Sequence, residues 1–244
     1  MPSDASLIPL PENWTTALAI VAHPDDMEYG AASAVARWTG QGKEVVYLLA
    51  TRGEAGIDGM DPAECGPVRV EEQVRSAAIV GVSTVDFLDH PDGALEYGLP
   101  LRRDFARAIR RHRPEVLITV NHHDVFEPGR LNMADHRIAG RAAIDAARDA
   151  ANRWAFPELS EEGLEPWAGA RRIFVAGSPL AEHAVDVADT IDAGVASLEA
   201  HRAYLEGLGD HPMRDAAAFV RDRAEMAGWR FGGRPAVAFE LLEW

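Results

Sequence analysis

Directly after the apolar run Ala17-Leu18-Ala19-Ile20-Val21-Ala22 the chain reads His23-Pro24-Asp25-Asp26-Met27-Glu28, with three ionisable side chains in its first four positions. His23 and Asp26 stand three apart. With Pro24 stiffening the turn, an imidazole and a carboxylate can converge there on one point while Asp25 projects elsewhere. Two ligands beside one free carboxylate suit metal-assisted hydrolysis, in which a zinc-type ion takes about three protein ligands and keeps one position open for water. The third ligand must come from another part of the chain, and His136, preceded by Asp135 at the start of a later helical pattern, is the candidate. A single histidine after a strand is more often a hydrogen-bonded structural residue than a ligand. The combination of His23, Asp25, Asp26 and the Asp135-His136 pair is far more specific and favours the metal reading. Asp135 is explained equally well as a cap on the exposed N–H groups of its helix.

Positioning these groups requires a strand that ends at the site and a neighbouring strand that brings His136 to it. Short apolar runs alternate with longer helical patterns, which predicts an α/β fold with a Rossmann-like doubly wound, largely parallel sheet and helices on both faces. Strands are expected at 17–22, 45–49, 85–88, 116–120 and 173–176, with helices at 31–39, 67–80, 101–111 and 135–148. Pro67 suits a first helical turn, and Val70, Val74, Ala77 and Ala78 follow it at helical spacing as an apolar face. A sheet ordered 3-2-1-4-5 in these strands sets the fourth beside the first across the switch point, where open α/β sheets bind ligands. Residues 152–170 read as irregular or helical, two helical patterns follow at about 185–205 and 213–227, and 236–241 is a late strand or a docked tail. The length, 244 residues, fits a single domain with an extension from about residue 152.

Ala22-His23-Pro24-Asp25-Asp26 together with Asp135-His136-Arg137 resembles the PIG-L/LmbE-like N-deacetylases, among them de-N-acetylases of N-acetylglucosamine conjugates and the mycothiol-pathway enzymes. The resemblance extends to Thr51-Arg52-Gly53-Glu54-Ala55-Gly56, to Arg69 and Glu72, to Pro91-Asp92-Gly93 and to His201, and covers residues 17–142 best. It implies a zinc enzyme, with Fe2+ or Co2+ as possible replacements, in which His23, Asp26 and His136 hold the metal and Asp25 is the general base. It also implies that the substrate is a small N-acylated amino sugar or conjugate, cleaved to acetate and a free amine. A thiol-conjugate amidase of the mycothiol type is the alternative. Arg52, Arg69 and Asp92 match positions that line the sugar-binding side. The simpler reading of Arg69 and Glu72, at i and i+3, is a surface ion pair. Met133 departs from the mycothiol-pathway pattern, which has a histidine there as an oxyanion stabiliser. His122, His123, His201 and Tyr97 are possible replacements, although His122-His123-Asp124 also reads as a polar loop. Glu28 suits orienting a metal ligand or capping the next helix.

Composition narrows the alternatives. A formal net charge of −15, from 39 acidic against 24 basic residues, argues against a nucleic-acid partner. No apolar run approaches the ~20 residues that span a bilayer, and the first 14 residues lack a secretory pattern, so no membrane association and a cytoplasmic location are expected. Cys65, the only cysteine, cannot form an internal disulfide. Homo-oligomerisation is left open. A nucleotide or S-adenosylmethionine binder would need the glycine loop that is missing after the first strand. An aspartyl-phosphate enzyme would need an Asp-x-Asp spacing, whereas Asp25 and Asp26 are adjacent. A noncatalytic metal- or sugar-binding relative is disfavoured by the intact Asp25.

Overall fold

The computed structural model describes residues 6–127 and 129–244. The first half runs β1 (Ile8–Pro9), β2 (Thr16–Val21), α1 (Asp26–Gly30), α2 (Ala32–Gly40), β3 (Glu44–Leu49), α3 (Pro62–Ile79), β4 (Thr84–Phe87) and α4 (Leu99–His112). It continues with β5 (Val116–Val120), a hairpin of β6 (Val125–Glu127) and β7 (Arg130–Leu131), α5 (Ala134–Ala151), α6 (Pro157–Glu161) and β8 (Arg172–Ala176). The last elements are β9 (His183–Asp186), α7 (Ile191–Glu199), α8 (Arg202–Gly207), α9 (Ala216–Trp229) and β10 (Ala236–Glu243).

Eight strands form one sheet in the order β1-β9-β10-β8-β5-β2-β3-β4. The five from β8 to β4 are mutually parallel and reproduce the expected 3-2-1-4-5 arrangement. β10 runs antiparallel between β8 and β9, so 236–241 is a strand rather than a docked tail. The uninterrupted apolar run of β2 reflects burial on both faces. Ala17, Ala19 and Val21 face Val35, Trp38, Phe174 and Phe239, while Leu18 and Ile20 face Phe105, Ile109, Ala139 and Ala143 of α4 and α5. Each large side chain buried this fully contributes roughly 1.5–3 kcal/mol.

Three expectations are corrected. Helix α3 starts before Pro67: Pro62 takes the first position, the Asp61 carboxylate accepts from the Ala63 N–H at 2.9 Å, and Pro67 lies inside the helix. Val74 and Ala78 of its expected apolar face are exposed, and the buried stripe is Arg69, Glu72, Gln73, Ser76 and Ala77. This helix packs its polar side against the carboxylates that follow β2, so hydrogen bonding rather than apolar periodicity sets its orientation. The third correction concerns 185–205, where Val185 belongs to β9 and the helical part divides into α7 and α8.

Candidate active site

All five parallel strands end at one edge of the sheet, and the chain leaves β2 towards β3 on one side while β5 lies on the other. His23 follows β2 there, and His136 stands in the first turn of α5, beyond β5 and the β6–β7 hairpin. The structure brings them together: the Asp26 Oδ1 lies 2.9 Å from His136 Nε2 and 3.7 Å from His23 Nδ1. One ligating atom from each of His23, Asp26 and His136 lies within 4.8 Å of the others.

The opposite side of each of these groups is tied down. Asp26 Oδ2 accepts from the backbone N–H groups of Ala22 and His23, both at 2.9 Å. His136 Nδ1 lies 3.2 Å from the Asn132 Oδ1, an oxygen that can only accept, so Nδ1 carries the hydrogen of this contact and Nε2 is the nitrogen turned towards Asp26. His23 Nε2 lies 3.1 Å from Asp92 Oδ1 and 3.3 Å from Asp135 Oδ2. Burial alone would lower the pKa of His23, but hydrogen bonds to Asp135, Asp26 and Asp92 hold it well above the usual histidine value. Burial would raise the Asp26 carboxyl, and the charges of His136 and His23 outweigh it and hold it far below the usual carboxylate range. Three buried carboxylates around two imidazoles require positive charge, and the donor set, two nitrogens and one oxygen, fits a borderline divalent ion such as zinc.

Asp25 stands beside this trio with a left-handed backbone, φ 90°. Its N–H donates to Gln73 Oε1 at 2.9 Å, and its Oδ2 accepts from the guanidinium of Arg69, while Oδ1 has no partner among the described residues. Burial pushes its carboxyl up to about 6, against the lowering effect of Arg69 and with the help of Asp26. Arg69 also donates to the carbonyls of Pro24 and Gly53, and its guanidinium carbon lies 4.3 Å from the centre of the Tyr204 ring. A Cβ at Gly53 or Gly56 would run into that guanidinium, which accounts for both glycines of the Gly53-Glu54-Ala55-Gly56 turn.

The remaining sequence candidates scatter. Arg69 is 2% exposed and bound to Asp25, and Glu72 accepts instead from the Ala203 N–H at 2.6 Å, so the surface ion pair between them does not form. Arg52 is half exposed and pairs with Asp89. Asp92 backs His23 and accepts from the Ala55 N–H at 2.8 Å. Asp135 caps nothing on its own helix: its oxygens accept from the Gly93 and Leu95 N–H groups, pinning the loop that carries Asp92. The Tyr97 hydroxyl donates to Asp145, His123 pairs with Glu240, and His201 is fully buried 3.7 Å from Glu28. Glu28 makes no direct contact with His23, Asp26 or His136; it accepts from Gln73 and Ser76. Sequence reasoning passed over Asn132 and Gln73. The i, i+4 spacing of Asn132 with His136, and of Arg69 with Gln73, was the available signal.

A family model described as GlcNAc-PI de-N-acetylase matches residues 18–147, more than half of the chain. The diacetylchitobiose deacetylase of Thermococcus kodakarensis is 30% identical over 77% of this chain and 69% of its own. A 1D-myo-inositol 2-acetamido-2-deoxy-alpha-D-glucopyranoside deacetylase of Kineococcus radiotolerans is 30% identical over 54% of this chain and 47% of its own. The chain thus spans about half the length of this second relative. Among solved structures, an N,N'-diacetylchitobiose deacetylase from Pyrococcus horikoshii in complex with its inhibitor MPG has a TM-score of 0.86 at 23% identity, over 95% of this chain and 85% of its own, a likeness of fold. The sequence matches, the sheet order and the convergence of His23, Asp26 and His136 beside Asp25 agree, and the chain belongs to the PIG-L family of GlcNAc-PI de-N-acetylases.

Proposed function

We propose that this enzyme is a zinc-dependent hydrolase that removes the acetyl group from the amide nitrogen of an N-acetylglucosamine-type substrate, with His23, Asp26 and His136 holding the ion and Asp25 moving the proton. One observation carries the reading: each of the three ligands has its far side tethered and one donor atom aimed at a common point. A divalent ion held there supplies acidified water and polarisation of the amide carbonyl.

The chain's own groups supply the rest. Asp25 Oδ1 is free to accept the proton of the attacking water while Arg69 steadies Oδ2, and the same carboxyl can return that proton to the departing amine. A carboxyl lifted to about 6 by burial suits both directions of transfer near neutral pH. The shared substrate chemistry of the relatives, an acetamido sugar, supports the substrate class, and Met133, more than half exposed beside the ligand helix, leaves oxyanion stabilisation to other groups.

The test pairs elemental mass spectrometry with acetate release from N-acetylglucosamine, N,N'-diacetylchitobiose and the myo-inositol conjugate. The expected result is tightly bound zinc, one equivalent of which is lost in His136→Ala, together with acetate from at least one substrate. Turnover that survives exhaustive chelation would overturn the metal-dependent reading, and cleavage of a thiol-conjugate amide without any acetate release would replace deacetylation by the amidase alternative.

A further inference from the structure

A second group of metal-binding side chains lies along the same edge of the sheet, outside the trio described above. Successive residues of an extended chain point to opposite sides. At the exit of β5, however, the His123 N–H donates to the Asn121 side-chain oxygen at 2.9 Å, and this turn brings His122 and His123 to the same side, their rings 4.2 Å apart. Glu240 reaches them from β10, more than a hundred residues away in the chain, and its Oε2 lies 2.8 Å from His123 Nε2. Ser178, just beyond β8, donates to the same oxygen at 2.6 Å and fixes the carboxylate. One ligating atom from each of His122, His123 and Glu240 lies within 4.8 Å of the others.

A plain His123–Glu240 ion pair leaves part of this arrangement unexplained. His122 Nδ1 is buried and has no hydrogen-bond partner among the described residues, whereas buried imidazole nitrogens are ordinarily satisfied. Two imidazoles this close, their planes tilted by 34°, gain nothing from each other when protonated, but both can offer lone pairs to one cation. We propose that His122, His123 and Glu240 form a second site for a divalent transition metal, filled independently of the catalytic trio. Two nitrogens and one oxygen select zinc, copper, nickel or cobalt over magnesium and calcium, which take oxygen donors.

The site has a structural link to the first. The Asn132 side-chain amide donates to the carbonyls of Asn121 and His123, at 2.6 and 3.0 Å, and its oxygen receives His136 Nδ1. An ion on His122 and His123 therefore stiffens the turn that holds Asn132, and through it the orientation of a ligand of the catalytic site.

Full-length protein stripped with chelator and dialysed against buffered zinc tests this by elemental mass spectrometry. Two equivalents are expected in the wild type, one in each of His122→Ala, Glu240→Gln and His136→Ala, and none in His136→Ala combined with Glu240→Gln. Excess magnesium should displace neither equivalent. The two single variants of the new site lie on different elements, and His122→Ala keeps the Cβ that packs on Gly140, so misfolding of one, seen by circular dichroism, leaves the other informative. A wild type with one equivalent, lost in His136→Ala, would overturn the second site and leave the catalytic reading intact. One equivalent lost only in Glu240→Gln and His122→Ala would support the second site and overturn the first. Retention of both equivalents in His122→Ala and Glu240→Gln also overturns the proposal.

Discussion

Asp25 holds its carboxylate beside His23, Asp26 and His136 at the cost of a left-handed backbone, a conformation worth about 1–3 kcal/mol of strain in a residue with a side chain. The surrounding contacts over-determine it: Gln73 takes its N–H, and Arg69 takes both its carboxylate and the preceding carbonyl. Replacing Asp25 by Ala would leave the buried Arg69 guanidinium with neither counter-charge nor acceptor, whereas Asp25→Asn keeps a side-chain oxygen that can accept from it and so separates chemistry from folding more cleanly. In that variant bound metal should be unchanged while kcat falls about 10²–10⁴-fold, the usual contribution of a positioned acid–base group. Undiminished turnover would remove Asp25 from the role of base. Asn132 offers a different test, since it touches the proposed ligand His136 and none of the proposed donor atoms. Asn132→Ala should weaken zinc binding about 10–100-fold, measured by competition with a chelator, because His136 loses the partner that fixes its tautomer and ring.

Helix α3 shows where periodicity misleads. Arg69, Glu72, Gln73 and Ser76 stand at i, i+3, i+4 and i+7, a spacing visible in the sequence but ordinarily read as a solvated face. The carboxylates of Asp25 and Glu28 and the Ala203 N–H, all delivered by other elements, make its burial favourable, while Val74 and Ile79 face solvent. Val74→Ser should therefore change unfolding free energy by no more than about 0.5 kcal/mol, whereas Gln73→Leu, which leaves the Asp25 N–H and the Glu28 carboxylate each short of a partner, should cost about 1–3 kcal/mol in urea denaturation. The opposite ranking would restore the apolar-face reading. The segment before β2 is held to α2 by Glu12, which accepts from Arg37 at 3.0 Å and from the Trp38 indole at 2.7 Å. Burial raises the Glu12 carboxyl, but the hydrogen bonds and charge of Arg37 prevail and set it below its ordinary value of 4.5. A carboxyl lowered in the folded state stabilises above its unfolded pKa and loses that contribution as pH falls through the folded one. The Tm difference between wild type and Glu12→Gln should be constant near neutrality and shrink below about pH 4.5; a pH-independent difference would show that the charge of Glu12 is immaterial.

At the scale of the whole molecule the last strand belongs to the central core: Phe239 of β10 is fully buried, with its ring 5.7 Å from Trp38 and 6.1 Å from Phe174. Phe239→Ala should cost about 3–5 kcal/mol of unfolding free energy, and a loss under about 1 kcal/mol would mean that the C-terminal strand stabilises itself apart from the parallel sheet. Among the described residues no helix is long and apolar enough to cross a membrane. The sequence by itself determined the five parallel strands, their order and the convergence of His23, Asp26 and His136, because strands buried on both faces read as continuous apolar runs and because ligand crevices form where such strands end. It also flagged Asp25 and Asp135, though Asp135 as a helix cap. Tertiary structure decided what stands behind them: Arg69 on Asp25, Asp135 and Asp92 on His23, Asn132 on His136, and Glu240 on His123. These partners lie on separate elements, most of them tens of residues apart, and a buried polar group is satisfied by whichever element the packing brings to it, a relation that local spacing does not encode.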